Sequence, residues 1–249
     1  MMIPPDIALA LLMNRTGTAY QTNAPAYITY REHTHVAGAN KSEDIDRAVA
    51  VRVADNFAVM RDLPNGATRT GPAFPILPFF DPFSNFEFSY FANLKRIDIT
   101  FKPGKPFNVA IPQPDANVDA VVPYFSEYAP RYASDSKEDA VHLLIDPTSK
   151  TGDAFYPSDV VEDASSHLPS HVSMQTGSND MVIGLDYAIV NGYWVITHGT
   201  FTSTQHAIML TFKVSADVTY QDIQFPTAPP DPQLATPPSP QPIPSVTSM

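Results

Sequence analysis

Residues 33 to 35 read His-Thr-His, and in an extended strand positions i and i+2 lie on one face about 7 Å apart, so the two imidazoles could share a metal ion. Two ligands do not make a site. His198 could complete it, as could His142, His167, His171 or His206, but no short metal motif such as HExxH occurs. A centre built on His33, His35 and His198 would be that of a metal-assisted hydrolase. Histidines that are solvated or hydrogen-bonded on strands are the simpler reading, and no metal or other cofactor is expected.

Nucleophilic catalysis has less to stand on. There is no GxSxG elbow, no Gly-rich phosphate loop of either common type and no cysteine to supply a thiolate. Carboxylates pair at Glu43-Asp44, Glu138-Asp139 and Glu162-Asp163, each beside loop residues, where solvated turns are the expected setting rather than an acid/base dyad. An enzyme is therefore not expected.

The segment from Gly71 to Phe91 reads GPAFPILPFFDPFSNFEFSYF. Its prolines at 72, 75, 78 and 82 forbid a central strand or an unbroken helix, yet its aromatics would not stay in water. It is expected to pack as a lid over a sheet, its aromatics either filling a core or lining an apolar cavity. Phe79, Phe80, Phe83 and Phe86 are the candidate wall residues, facing Met181, Ile183, Leu185 and Trp194 from the sheet. Burying four phenylalanines contributes roughly 6–12 kcal/mol of transfer free energy, so the lid should be closed unless a ligand competes.

The elements that must position these residues are legible from period. Met181, Ile183, Leu185, Tyr187 and Ile189 put an apolar residue at every odd position, and Ile208 to Tyr220 put one at every even position. Strict alternation predicts strands with one wet and one dry face. Asn191-Gly192 marks a two-residue hairpin with positive φ at both positions. Pro4-Pro5-Asp6 starts a helix running to about Gln21, with Ile7, Leu11 and Leu12 on its apolar face. Strands are expected over 26–36, 47–63 as a hairpin, 94–101, near 118–125, 141–146, 159–162 and 171–176. The fold class is mainly β (α+β): a large curved antiparallel sheet or half-barrel, covered on its concave side by the N-terminal helix and the aromatic segment. Residues 1–226 form one domain; 227–249, rich in Pro, Ser, Thr and Gln, should be an extended disordered tail.

A net charge of −11 argues against nucleic acid and anionic lipid surfaces as partners. No run of about 18 apolar residues is present, so no transmembrane segment is expected. The first residues lack the basic start of a signal peptide. The expectation is a periplasmic or other extracytoplasmic protein if a signal precedes this start, and a cytoplasmic one otherwise.

The leading helix, the long antiparallel sheet and the passage Asp159-Val160-Val161-Glu162-Asp163 to Leu168-Pro169-Ser170-His171-Val172 resemble the lipoprotein-carrier superfamily, the LolA-like and LolB-like half-barrels. Outlying members place an Asp-Pro-x-Thr-Gly-Leu-Pro type turn there; Glu162-Asp163 and Leu168-Pro169 keep its ends while the middle departs. Leu185-Asp186-Tyr187 followed by Gly192-Tyr193-Trp194-Val195-Ile196-Thr197 is similar too. The resemblance implies no enzyme, but a binding protein of the cell envelope that holds an acyl chain, a lipid or another hydrophobic small molecule. It leaves open a sensor module with a filled core and an envelope protein partner. With no cysteine in this sequence, the lipid-anchored LolB-like form is not expected.

Overall fold

The computed structural model describes residues 2–22, 24–38, 41–72, 78, 82–83, 86–91, 96–101, 122–125, 128–147, 155–176, 181–207 and 210–235. The N-terminal helix, α1 (Pro5–Thr22), begins where the sequence predicts. The first prolines fix φ, the Ala8 N–H donates to the Pro4 carbonyl (3.0 Å), and the Asp6 carboxylate accepts from the Ile7 N–H (3.0 Å). Its buried face differs from the expected one. Ala8, Leu9, Ala10, Leu12, Met13 and Thr16 are buried, whereas Ile7 and Leu11 are half-buried. The helix lies against both β7 (Val122–Phe125) and β8 (Tyr128–Tyr132), so apolar contact wraps more of it than a one-sided stripe provides. The buried Thr16 hydroxyl is satisfied by donating to the Leu12 carbonyl (2.8 Å).

The sheet has eleven strands. Four come early: β1 (Tyr27–Ala37), β2 (Ser42–Arg52), β3 (Phe57–Asp62) and β4 (Thr68–Pro72). After β8 come β9 (His142–Pro147), β10 (Phe155–Glu162), β11 (Pro169–Thr176), β12 (Met181–Val190), β13 (Tyr193–Ala207) and β14 (Leu210–Gln224). Their order is β4-β3-β2-β1-β14-β13-β12-β11-β10-β9-β8, antiparallel throughout, so chain neighbours are sheet neighbours except at the β1–β14 junction. This is the curved half-barrel, its twist forced by strand chirality. The edge strands β4 and β8 carry Pro72 and Pro130 together with Arg69 and Arg131. A second sheet joins β5 (Phe86–Phe91) antiparallel to β6 (Arg96–Phe101), and β6 parallel to β7. The sequence reading gave residues 71–91 no strand. The last proline of that stretch is Pro82, and the FEFSYF run beyond it is free to pair as β5.

Alternation holds between four register shifts, two of them on β10–β11 and one each on β14 and β13. On β1, Ile28, Tyr30, Glu32 and Thr34 are buried while Arg31, His33 and His35 are exposed. On β14, Val218 and Tyr220 face in; an extra residue near Asp222 (φ 53°) shifts the register so that Ile223 faces in next. A second bulge on β13, at Thr197, lets Asp186 pair with His198 and Tyr187 with Ile196. The β12–β13 turn has φ 50° at Asn191 and 84° at Gly192, as a two-residue hairpin requires. The dry face expected of Met181–Ile189 is only partly dry: Leu185 and Tyr187 are buried, Met181 and Ile183 half-buried, and Ile189 is 54% exposed beside the exposed Asn191-Gly192 tip.

Part of the segment expected as a tail is ordered. Residues 227–235 are part of the fold: Pro232–Leu234 form a single 3-10 turn against β3, opened by the Asp231 carboxylate accepting from the Gln233 N–H (2.9 Å). Leu234 is 1% exposed, and its carbonyl accepts from the Arg52 guanidinium (2.7 Å), which also grips Asp55 with two bonds of 2.7 Å. Proline content alone misled here; one leucine and one arginine anchor the segment. Residues 236–249 lie outside the described residues. We predict that Leu234→Ala lowers unfolding free energy by about 2–4 kcal/mol, measured by urea denaturation, while Gln233→Ala at an exposed neighbouring position changes it by less than about 0.5 kcal/mol.

Candidate functional site

The concave side holds one apolar layer. Leu9, Leu12 and Met13 of α1 meet Ile28, Val49 and Val51 of β1–β2, and Val160, Val172, Leu185, Trp194 and Ile196 of β10–β13, in a single buried cluster. Of the expected site residues, Phe83, Leu185 and Trp194 belong to this cluster and Ile183 packs against it, while Met181 is half-buried. Phe79 and Phe80 lie outside the described residues, and Phe86 is placed by its backbone as the first residue of β5. Trp194 stacks on Tyr187 with ring centroids 4.1 Å apart, and its indole N–H donates to the Pro169 carbonyl (2.8 Å), so its one polar atom is satisfied. Phe83 is fully buried, and the Pro78 carbonyl accepts from the Ile196 N–H (2.7 Å). The β13–β14 ladder begins only at His198. The proline segment therefore supplies an acceptor to a strand end that β14 does not reach. A proline carbonyl can do this although its nitrogen cannot donate.

One end of the concave face is ionic. Glu32, 3% exposed, accepts from Arg47 (3.0 Å) and from the Thr34 hydroxyl (3.0 Å); Arg47 also bonds Asp62 (3.1 Å), which takes Arg69 (2.7 Å). The bonds from Arg69 and Arg47 hold the Asp62 carboxyl below its ordinary range. Strand register builds this ladder, because Glu32 is opposite Arg47 and Arg47 opposite Asp62. Neighbouring Tyr30 and Tyr220 meet edge to face (5.4 Å), and burial pushes both phenols up, helped at Tyr30 by Tyr220 and at both by Glu32.

Glu162 was expected in a solvated turn. It is buried instead, accepting from Arg15 of α1 (2.8 Å), the Val141 N–H (3.1 Å) and His167 (3.1 Å). Asp163 beside it closes the turn: it accepts from the hydroxyls and N–H groups of Ser165 and Ser166, which brings its carboxyl down to about 2. A cavity of about 230 Å³ opens there, lined by Ile3, Leu11, Arg15, Tyr132, Glu162 and His167. A larger open groove of about 480 Å³ lies over β1–β3 beside the C-terminal segment, lined by Arg31, Ala48, Ala50, Arg61 and Pro230 among others. Neither is lined by Phe83, Ile183, Leu185 or Trp194.

His33, His35, His142, His171 and His198 line the other face. His33 bonds Asp46 (2.8 Å), His35 bonds Asp44 (2.6 Å), and His198 bridges Asp186 (2.8 Å) and Asp217 (3.0 Å). Among the described residues no three His, Asp or Glu side chains converge as ligands of one metal ion. His171 bonds Asp186 (2.5 Å) through Nδ1 and the Ser173 hydroxyl (2.9 Å) through Nε2. That is the connectivity of a charge relay, but Ser173 sits mid-strand, opposite Asp159 on one side and Gly184 on the other, with no elbow to present it. The aspartate partners were missed from the sequence. Their signal was there in Asp44-Ile45-Asp46, an i, i+2 acidic pair set by a hairpin opposite the i, i+2 pair His33 and His35.

Fold and site together define a curved sheet with an apolar concave layer under a helix and an aromatic segment. No protein-family model matches the chain, and no curated protein matches it. Among solved structures it is similar to a LolA superfamily protein from Nitrosomonas europaea (TM-score 0.41, 10% identity, covering 91% of this chain and 96% of that one). It is similar also to an assigned outer membrane lipoprotein-sorting protein domain from Vibrio parahaemolyticus (TM-score 0.41, 12% identity, 88% and 93%) and to a DUF1329 family protein from Desulfovibrio piger (TM-score 0.35, 11% identity, 90% and 94%). At such scores the likeness is one of outline and carries nothing about activity.

Removing Arg47 leaves Glu32 buried without its cationic partner. We expect Arg47→Ala to cost about 3–5 kcal/mol in urea unfolding, and the double change Glu32→Gln with Arg47→Met to cost less than the single one.

Proposed function

We propose that this chain is a non-enzymatic binding protein of the cell envelope that holds an apolar ligand, an acyl chain or lipid, between the concave face of the sheet and the aromatic segment. The supporting observation is the continuity of Phe83, Leu185 and Trp194 with the apolar surface of α1 in one layer, closed on the β13 side through Pro78. A ligand would displace part of segment 71–91, with Phe79, Phe80 and Phe86 as further wall residues beside Met181 and Ile183. No helix among the described residues is long and apolar enough to cross a membrane.

A second reading is a protein-interaction or sensor module with a filled core. It is favoured by the complete burial of Phe83 and by two cavities that none of Phe83, Ile183, Leu185 and Trp194 lines.

Trp194 is the chain's single tryptophan and sits in the layer, so its fluorescence separates the two readings. Brominated fatty acids should quench its emission saturably, and solvent extraction followed by mass spectrometry should recover a stoichiometric lipid from protein purified from a membrane-containing host. Absence of quenching together with a ligand-free native mass would overturn the carrier reading in favour of the interaction module.

A further inference from the structure

The outer face carries a row of alternating acids and imidazoles that runs across the strands. In sheet order it passes Asp44 and Asp46 on β2, His35 and His33 on β1, Asp217 on β14, His198 on β13, Asp186 on β12, His171 on β11, Asp159 on β10 and His142 on β9. The bonds along it are Asp44 to His35 (2.6 Å), Asp46 to His33 (2.8 Å), Asp217 to His198 (3.0 Å), His198 to Asp186 (2.8 Å), Asp186 to His171 (2.5 Å) and Asp159 to His142 (3.0 Å). His142 is held on its other nitrogen by Asp135 (2.6 Å). Two junctions carry no such bond: between β1 and β14 the register sets His35 directly opposite Asp217, whereas between β11 and β10 it sets His171 opposite Val161, so the row is interrupted there. Each bond links different strands or, at Asp135, a strand to the preceding turn.

We propose that this row is an acid-strengthened tie: protonation of His33 and His198 at mildly acidic pH clamps β2 to β1 and β14 through β12 side to side and stiffens the curved sheet. Two imidazoles, those of His171 and His198, share the single carboxylate of Asp186, and His198 bonds a carboxylate at each ring nitrogen. An imidazole can donate from both nitrogens only as the cation. Protonation therefore completes the bonding that the geometry sets up.

The titration directions agree. The bond to Asp46, with the charges of Asp44 and Asp217 adding, raises His33; the bond to Asp186 raises His198 against the opposing effect of burial, with Asp217 adding. Burial works against ionised Asp186, yet the bonds from His171 and His198 leave its carboxyl below the ordinary range; Asp135 is lowered by His142. A histidine raised on folding stabilises fully below its unfolded value near 6.5 and loses this contribution as pH rises through its folded value. A lowered aspartate stabilises above its unfolded value near 3.9 and loses this as pH falls. The tie is complete between about pH 4 and 6.5.

Thermal unfolding of the full chain at fixed low salt tests this, comparing wild type with His33→Gln/His198→Gln, whose amides still hydrogen-bond but do not titrate. The wild-type Tm should be highest between about pH 4.5 and 6.5 and fall by about 2–4 °C towards pH 8.5, and the variant should lose most of that fall. NMR titration should place the His198 imidazole above 6.5. Parallel wild-type and variant profiles across this range, or a His198 that titrates below 6.5, would overturn the proposal. Neither readout involves lipid, so the result stands apart from the carrier reading.

Discussion

The structure depends on one non-local ladder. Strands β1–β4 and β8–β14 are two meanders that sequence neighbours could form independently; pairing β1 with β14 makes them one sheet. Its register fixes chemistry on both faces. It sets Glu32 opposite Tyr220 on the inside and His35 opposite Asp217 on the outside. The Asp222 bulge then resets the inward positions from Tyr220 to Ile223 while β1 continues without interruption. Such pairing closes a loop of nearly the whole chain, so its entropy cost must be met by the local hairpins it unites.

The sheet keeps two kinds of chemistry apart by alternation alone. Leu185 and Tyr187 enter the apolar layer while Asp186 between them holds two histidines on the other side. On β1, Glu32 and Thr34 belong to the inner ionic end and His33 between them to the outer row. A slip of one residue would bury the imidazole row and expose the leucines, so the two faces enforce the same register from opposite sides.

Much of this was legible because period two is a direct readout of strand faces. Met181–Ile189, 26–36, the Asn191-Gly192 hairpin and the Pro4-Pro5 helix start all stand where alternation and turn chemistry put them. What escaped needed partners far along the chain. Glu162 looks like a turn carboxylate until Arg15 arrives from the helix, and Leu234 looks like tail until Arg52 holds its carbonyl. The histidines read as metal ligands, which need a point of convergence, whereas side chains set across neighbouring antiparallel strands form a line. Strand β5 was hidden by the prolines before it, whose influence ends at Pro82.

The two margins of the sheet have a consequence of their own. An open sheet of this width invites copies of itself to dock edge to edge, the route by which concentrated β proteins form fibrils. At β4 the last residue is Pro72 and at β8 the middle one is Pro130, neither with an N–H to offer, and Arg69 and Arg131 place positive charge along the same borders. Strand addition is thereby discouraged at both ends. The borders of the eleven-stranded sheet thus oppose its own extension by a second copy.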